Sequence, residues 1–226
     1  MFNYNLQSVN NAIRAAAGIL DTFDDLEHQV LDAIKTKLTN LYTIGPLSLL
    51  HRQLFPKILD SIGSNLWEED TQCLAWLDKW EPYSVQVPIL VGYYGASRQR
   101  QRGRCTFGGV HGPVSDRGLL VGWCTQEKVL SHRCVGGFLT HCGWNSTMES
   151  VCEGVPLICW PFFADHQMNC FTVVESGGIG MEIDDDVKGE RVESIVREVM
   201  EGMKGHCLRL TLQENFKLPM ENFRRI

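Results

Sequence analysis

Three short apolar runs, Val135–Thr140, Val155–Trp160 and Gly180–Ile183, alternate with segments of helical character. No other feature narrows the choice of fold as much. Ser146–Cys152 fits a helix between the first two runs, stopped by Gly154, a residue suited to the left-handed helix terminus. A second helix is expected near Asp165–Glu175. After the last run, Val192, Ile195, Val196, Val199 and Met200 recur at helical spacing. Strands joined through helices run in the same direction, so the expected fold is α/β, with a parallel sheet covered on both faces.

Upstream, Leu119–Gly122 reads as another short strand, and Glu127–Leu130 begins a brief helix. Near the start, Ala16–Phe23 is small and apolar and is expected to be a buried strand. Asp25–Lys37 carries Leu26, Val30, Leu31 and Ile34 on one helical face, and Leu41–Ile44 is a second strand stopped by Gly45-Pro46. Glu68–Lys79 reads as a helix, and Val85–Val91 as a strand weakened by Pro88. Ser48–Asn65 looks like a connector. Gly92–Pro113 is rich in Gly and Arg without periodicity, and the tail from Gly205 has no clear pattern. There is no internal repeat.

The net charge of −6 gives the chain no electrostatic reason to bind nucleic acid or an anionic membrane. The short basic stretch Arg98–Arg104 reads as a solvated loop. No apolar run reaches the roughly 18 residues of a membrane helix, and Met1–Asn11 lacks the order of a signal peptide. The nine cysteines are an odd number without a C-x-x-C pair, which fits reduced thiols and a cytoplasmic chain. His132, Cys134, His141 and Cys142 invite a metal, but their spacing matches no common zinc pattern, so no metal is expected.

The informative chemistry lies between Trp123 and Gln167. Thr140-His141-Cys142-Gly143-Trp144-Asn145-Ser146 follows a strand, turns at Gly143 and opens a helix. That arrangement aims free N–H groups at the carboxyl edge of a parallel sheet, where anions bind. Asn145, Ser146 and His141 add polar side chains beside it, so a pyrophosphate would be well held. Equally, Asn145 and Ser146 can simply cap the helix while His141 is an interior residue. Glu149 lies one helical turn beyond Asn145 and suits a ribose diol, or else a solvent-facing position. Trp123 can stack on a flat base or fill the core. Asp165, His166 and Gln167 can hold sugar hydroxyls or cap the next helix.

Taken together, Trp123 through His166 resembles, almost position for position, the 44-residue signature box of plant secondary-product UDP-glycosyltransferases. The matching text includes Trp123-Cys124-x-Gln126, Val135-Gly136-x-Phe138-x-Thr140-His141-Cys142-Gly143-Trp144-Asn145-Ser146, Glu149, Gly154-Val155-Pro156, Pro161 and Asp165. Outside the box, Ile19–Glu27, Tyr42–Leu47 and Ser61–Trp67 are similar to the subgroup that glycosylates terpenoids, flavonoids and cyanohydrins. The resemblance implies a GT-B fold, in which two Rossmann-like domains face each other and the second binds the donor. It implies that Trp123 stacks on uracil, with Cys124 beside it, and that Gln126 and Glu149 hold the ribose. His141, Gly143, Asn145 and Ser146 would hold the phosphates, and Trp144, Asp165 and His166 would face the sugar. The donor would be UDP-glucose by default or UDP-galactose, because position 166 is His where the family usually has Gln. The UDP-sugar is a co-substrate, and neither a cofactor nor a metal is implied. The acceptor would be a hydroxyl of a small lipophilic molecule, and the chain a monomer.

The sequence also departs from that family. Family members are about twice as long, and their catalytic His, with its Asp, lies in a region without a counterpart here. No catalytic residue is therefore assigned. Between Ser84 and Asp116 the family has a strand ending in Phe-Gly-Ser, then a helix, a strand and a connector, none of which this text matches. The tail after Gly205 diverges as well. The expected division is residues 1–47 as a remnant of the acceptor-binding domain, 48–83 as linker and helix, and 84–226 as the UDP-sugar-binding domain. Three readings follow: a transferase, a catalytically inactive nucleotide-sugar-binding fragment, and a pseudogene product that does not fold.

Overall fold

The computed structural model describes residues 11–47, 72–88, 119, 124–183 and 189–215. Two parallel sheets organise them. The smaller pairs β1 (Gly18–Leu20) with β2 (Leu41–Thr43), joined through helix α1 (Asp24–Lys35). The larger has the order β3-β4-β5-β6, all parallel: Val85–Pro88, Val135–Thr140, Leu157–Cys159 and Gly180–Glu182. Helix α2 (Gln72–Leu77) precedes β3, and α3 (Gln126–Leu130) precedes β4. Helix α4 (Trp144–Glu153) links β4 to β5, and α5 (His166–Phe171) lies between β5 and β6, continued by one π-helical turn, Thr172–Ser176. Helices α6 (Gly189–Glu201) and α7 (Met203–Asn215) follow β6.

The two central strands, β4 and β5, are buried at nearly every successive position because both of their faces are covered. Along β5 the side chains alternate between two layers. Leu157 and Cys159 join Phe138, Met148, Val151, Val173 and Ile179 on one side. Ile158 joins Ile183, Ile195, Val199 and Leu208 on the other. The first layer also takes in Phe23 and Leu26, so the small sheet and its helix are built onto the same core.

Helix α4 ends as its sequence implies. Gly154 adopts φ 69°, and its N–H bonds back to the carbonyls of Ser150 and Val151. The Ser150 hydroxyl donates to the Val155 carbonyl at 2.8 Å, fixing the turn into β5.

One expectation needs correction and two become more definite. Ala16–Phe23 is not a buried strand: Ala16 and Ala17 are exposed, Ile19 is 66% exposed, and burial begins only at Thr22 and Phe23. Ile19 pairs with Tyr42, itself 57% exposed, so one face of this two-stranded sheet carries apolar side chains to its surface. Pro88 does not exclude β3, because it lies at the strand's last described residue, beside Leu139 on the outermost described strand. The tail is not patternless up to Asn215, since α7 occupies it. Its buried stripe is Gly205, Leu208 and Leu212, and a glycine in such a stripe leaves no apolar signal. The expected strand Leu119–Gly122 lies outside the described residues except for Leu119, and Arg98–Arg104 lies outside them entirely. No helix among the described residues is long and apolar enough to cross a membrane.

The glycine at 205 has a steric cause. A β-carbon there would collide with the Val199 carbonyl, so α7 crosses α6 in direct backbone contact. Arg209 secures the crossing by donating to the Val199 carbonyl at 2.9 Å. Gly205→Ala should therefore destabilise the chain by about 1–3 kcal/mol in urea melts. Gly189→Ala, whose β-carbon would meet nothing within 4 Å among the described residues, serves as the control. Equal stability of the Gly205 variant and wild type would disprove the close crossing.

Candidate functional site

The chain leaves β4 through a strained turn. Cys142 has φ 67°, a left-handed conformation that costs a non-glycine residue about 1–2 kcal/mol. Its N–H donates to Thr140 Oγ1 at 3.2 Å, and its carbonyl accepts from Asn169 Nδ2 at 2.9 Å. Asn169 Nδ2 also lies 3.1 Å from Asp165 Oδ2. One buried amide thus ties the turn after β4 to the start of α5. The sequence analysis missed Asn169; the signal available was its position one helical turn after Asp165.

Helix α4 begins after Gly143, which has extended backbone angles and no side-chain cap. The first intrahelical bond runs from the Thr147 N–H to the Gly143 carbonyl at 3.0 Å. The N–H groups of Trp144, Asn145 and Ser146 precede that bond and face the carboxyl edge of the sheet. Asn145 and Ser146 are within the first turn and do not cap it, so the simple capping interpretation fails. The indole N–H of Trp144 donates to the Asp21 carbonyl at 2.7 Å. Its side chain is therefore committed to the small-sheet unit, and at the helix end Trp144 offers its backbone N–H.

His141 packs over Gly143 so closely that a β-carbon at 143 would lie 2.6 Å from Nε2. Its ring meets that of His166 edge-on, with centroids 4.6 Å apart. The Phe163 ring also meets that of His166, tilted by 48° with centroids 4.7 Å apart. Nδ1 of each histidine is buried without a hydrogen-bond partner among the described residues. Such orphaned atoms call for a water or a ligand. Burial, and secondarily the neighbouring His166, hold the His141 pKa below its ordinary 6.5, while Asp165 opposes this.

Gln126 opens α3, and Glu149 lies midway along α4. Gln126 Nε2 donates to Glu149 Oε2 at 2.6 Å. Two polar residues separated by 23 positions, each singled out from the sequence, thus meet on α4 beyond its first turn. Cys124 is half-buried and packs against the core, and Asp165 and Asn145 are exposed. Trp123 lies outside the described residues. His132, Cys134, His141 and Cys142 do not converge. The first pair precedes β4, where His132 bridges Cys134 Sγ at 3.1 Å and Asp78 at 3.2 Å. The second pair lies at the other end of the strand.

A parallel α/β domain with an uncapped helix N-terminus and polar side chains gathered at its carboxyl edge has groups of the kind that hold an anion. The family model for UDP-glucoronosyl and UDP-glucosyl transferases matches residues 109–216. The chain is 42% identical over 234 residues to a 7-deoxyloganetin glucosyltransferase of Gardenia jasminoides, covering 91% of this chain and 48% of that protein. It is 40% identical to an (R)-mandelonitrile beta-glucosyltransferase of Prunus dulcis, covering 92% and 49%. Among solved structures, Phytolacca americana UGT2 complexed with UDP-2fluoro-glucose and pterostilbene superposes with a TM-score of 0.71 at 28% identity, covering 95% of this chain and 51% of that one. Os79 from O. sativa in complex with UDP gives 0.69 at 28% identity, covering 90% and 51%. The chain belongs to the plant UDP-glycosyltransferase family and has its GT-B type of α/β fold. It spans about half the length of the curated relatives it matches.

The lowered pKa of His141 has a measurable consequence. Between that pKa and 6.5, the unfolded chain carries a proton that the folded chain refuses. This contribution to stability is therefore complete above 6.5 and falls as pH drops through the window. NMR titration should place the His141 midpoint below 6.5, and His141→Gln should flatten the pH dependence of the melt there. A midpoint at or above 6.5 would show that the ring is not desolvated as described.

Proposed function

We propose that this chain is the donor-binding part of a UDP-dependent hexosyltransferase acting on a hydroxyl of a small lipophilic acceptor. The observation that carries the reading is the 2.6 Å bond between Gln126 and Glu149, made on α4 beyond its first turn. A carboxylate held this way suits the two hydroxyls of a ribose, while the helix N-terminus and His141 suit the adjoining phosphates. On this reading Trp123 stacks on the uracil, with Cys124 at its side. Gly143, Asn145 and Ser146 line the phosphates, and Asp165, His166 and the backbone of Trp144 face the hexose. Residues 1–47 are the acceptor-side remnant, 48–83 the linker and helix, and 84–226 the donor domain. No residue of the sequence matches the family's general base, which favours binding without transfer by these 226 residues alone.

Calorimetric titration of UDP tests the reading. Glu149→Ala should weaken binding roughly tenfold to a hundredfold, the cost of about 1.5–3 kcal/mol of charge-assisted hydrogen bonding. Trp123→Ala should lose about 1–3 kcal/mol of stacking. UDP affinity unchanged in both variants would remove the assignment.

Glucose is the default sugar, with galactose the alternative raised by His166. The ring of His166 is buried and fixed between His141 and Phe163, whereas Gln167 beside it is exposed. A fixed imidazole presents its hydrogen-bonding atoms in a geometry unlike that of the amide usual in the family. The two sugars differ only at the C4 hydroxyl, and one such contact discriminates by roughly 1–3 kcal/mol. His166→Gln should therefore shift the ratio of UDP-glucose to UDP-galactose affinity toward glucose. An unmoved ratio would exclude His166 as a selector.

A further inference from the structure

Behind the nucleotide turn lie three thiols to which the proposed function gives no task. Cys142 follows β4, Cys159 ends β5 and Cys170 lies in α5, and their sulfurs are all within 4.8 Å of one another. All three are fully buried, at 0%, 0% and 1% exposure. They come from three separate elements, so the spacing along the sequence gives no sign of them. We propose that Cys142, Cys159 and Cys170 form a three-sulfur site for a thiophilic ion, and that trivalent arsenic is the ion whose charge suits the burial.

Geometry supports the site. Trivalent arsenic keeps a lone pair and binds three sulfurs as a pyramid, which at about 2.3 Å per bond sets those sulfurs about 3.4 Å apart. The observed upper limit of 4.8 Å therefore needs a contraction of no more than about 1.4 Å. The thiols already interact. Hydrogen bonds from Cys159 and Cys170 make the Cys142 thiol more acidic, and the same contacts make the other two less so.

Charge selects among the ions. A divalent metal with three thiolates leaves one negative charge in a fully buried place, which is costly. Arsenous acid leaves none. Three As–O and three S–H bonds break, three As–S bonds form, three waters depart, and no electron is transferred. Cys142 lies between His141 and Gly143, so an ion on its sulfur would anchor the turn from behind while Asn169 holds its carbonyl. Entry requires local opening of the short helix α5, so uptake is slow.

The test uses the reduced full-length chain incubated with arsenite and freed of excess. Elemental analysis should find one arsenic per chain, and X-ray absorption should find three sulfur neighbours and no oxygen shell. Cys159→Ala and Cys170→Ala should lose the bound arsenic, and Cys207→Ala, on the exposed face of α7, should keep it. If a core variant does not fold, the sulfur count on wild type decides alone. Arsenic absent, held by fewer than three sulfurs, or retained in both core variants would overturn the site. Zinc, offered separately, should be held more weakly; zinc held in preference to arsenite would overturn the charge argument.

Discussion

The side chain of Asn169 makes two bonds, and the geometry of the carboxyl edge depends on both. One reaches the Cys142 carbonyl at 2.9 Å, and the other the Asp165 carboxylate at 3.1 Å. Cys142 cannot hold a left-handed conformation without compensation, and this buried amide supplies part of it. With Cys142 fixed, Gly143 is placed at the start of α4 and His141 is turned against it. With Asp165 fixed, His166 meets His141 edge-on. The two loops that a donor would touch are thus set by one residue that lies below both.

A second dependence runs between the two sheets. The indole of Trp144 bonds the Asp21 carbonyl, and two residues further along Phe23 enters the core that Phe138 and Leu157 share. Leu26, in the first turn of α1, follows it into the same core. The small β1–α1–β2 unit, with two strands of three residues each, is too slight to bury a core of its own. It is held by what it inserts into the larger one, and the first turn of α4 is part of that contact.

The sequence made β4, α4 and β5 legible because their signals agree. An apolar run, a glycine turn, a helical stripe and a left-handed stop at Gly154 all support the same boundaries. Glu149 was singled out by its place one helical turn beyond Asn145 and Gln126 through family resemblance, and their 2.6 Å bond is a tertiary fact that no local pattern encodes. Helix α7 was missed because its closest approach to α6 is made by Gly205, which has no side chain to register in a hydrophobic pattern. β1 was misjudged because small apolar residues suit a burial that a two-stranded sheet does not provide. The three-cysteine cluster was invisible because its members are 17 and 11 positions apart and belong to different elements.

The same edge is where local rules of stability are broken. Cys142 is left-handed, two imidazole Nδ1 atoms are buried without a partner among the described residues, and α4 has no side-chain cap. Each costs stability, and the two-sided core beneath supplies the surplus that tolerates them. Gly143 is central to this exchange. A Ser or Asp at that position would ordinarily stabilise the helix by binding its first N–H groups. It would also occupy the groups that a phosphate would need, and its β-carbon would run into Nε2 of His141. Glycine forgoes the cap, leaves the N–H groups open, and lets the imidazole lie against the same turn. The stability lost at this position is therefore inseparable from the open helix end gained there.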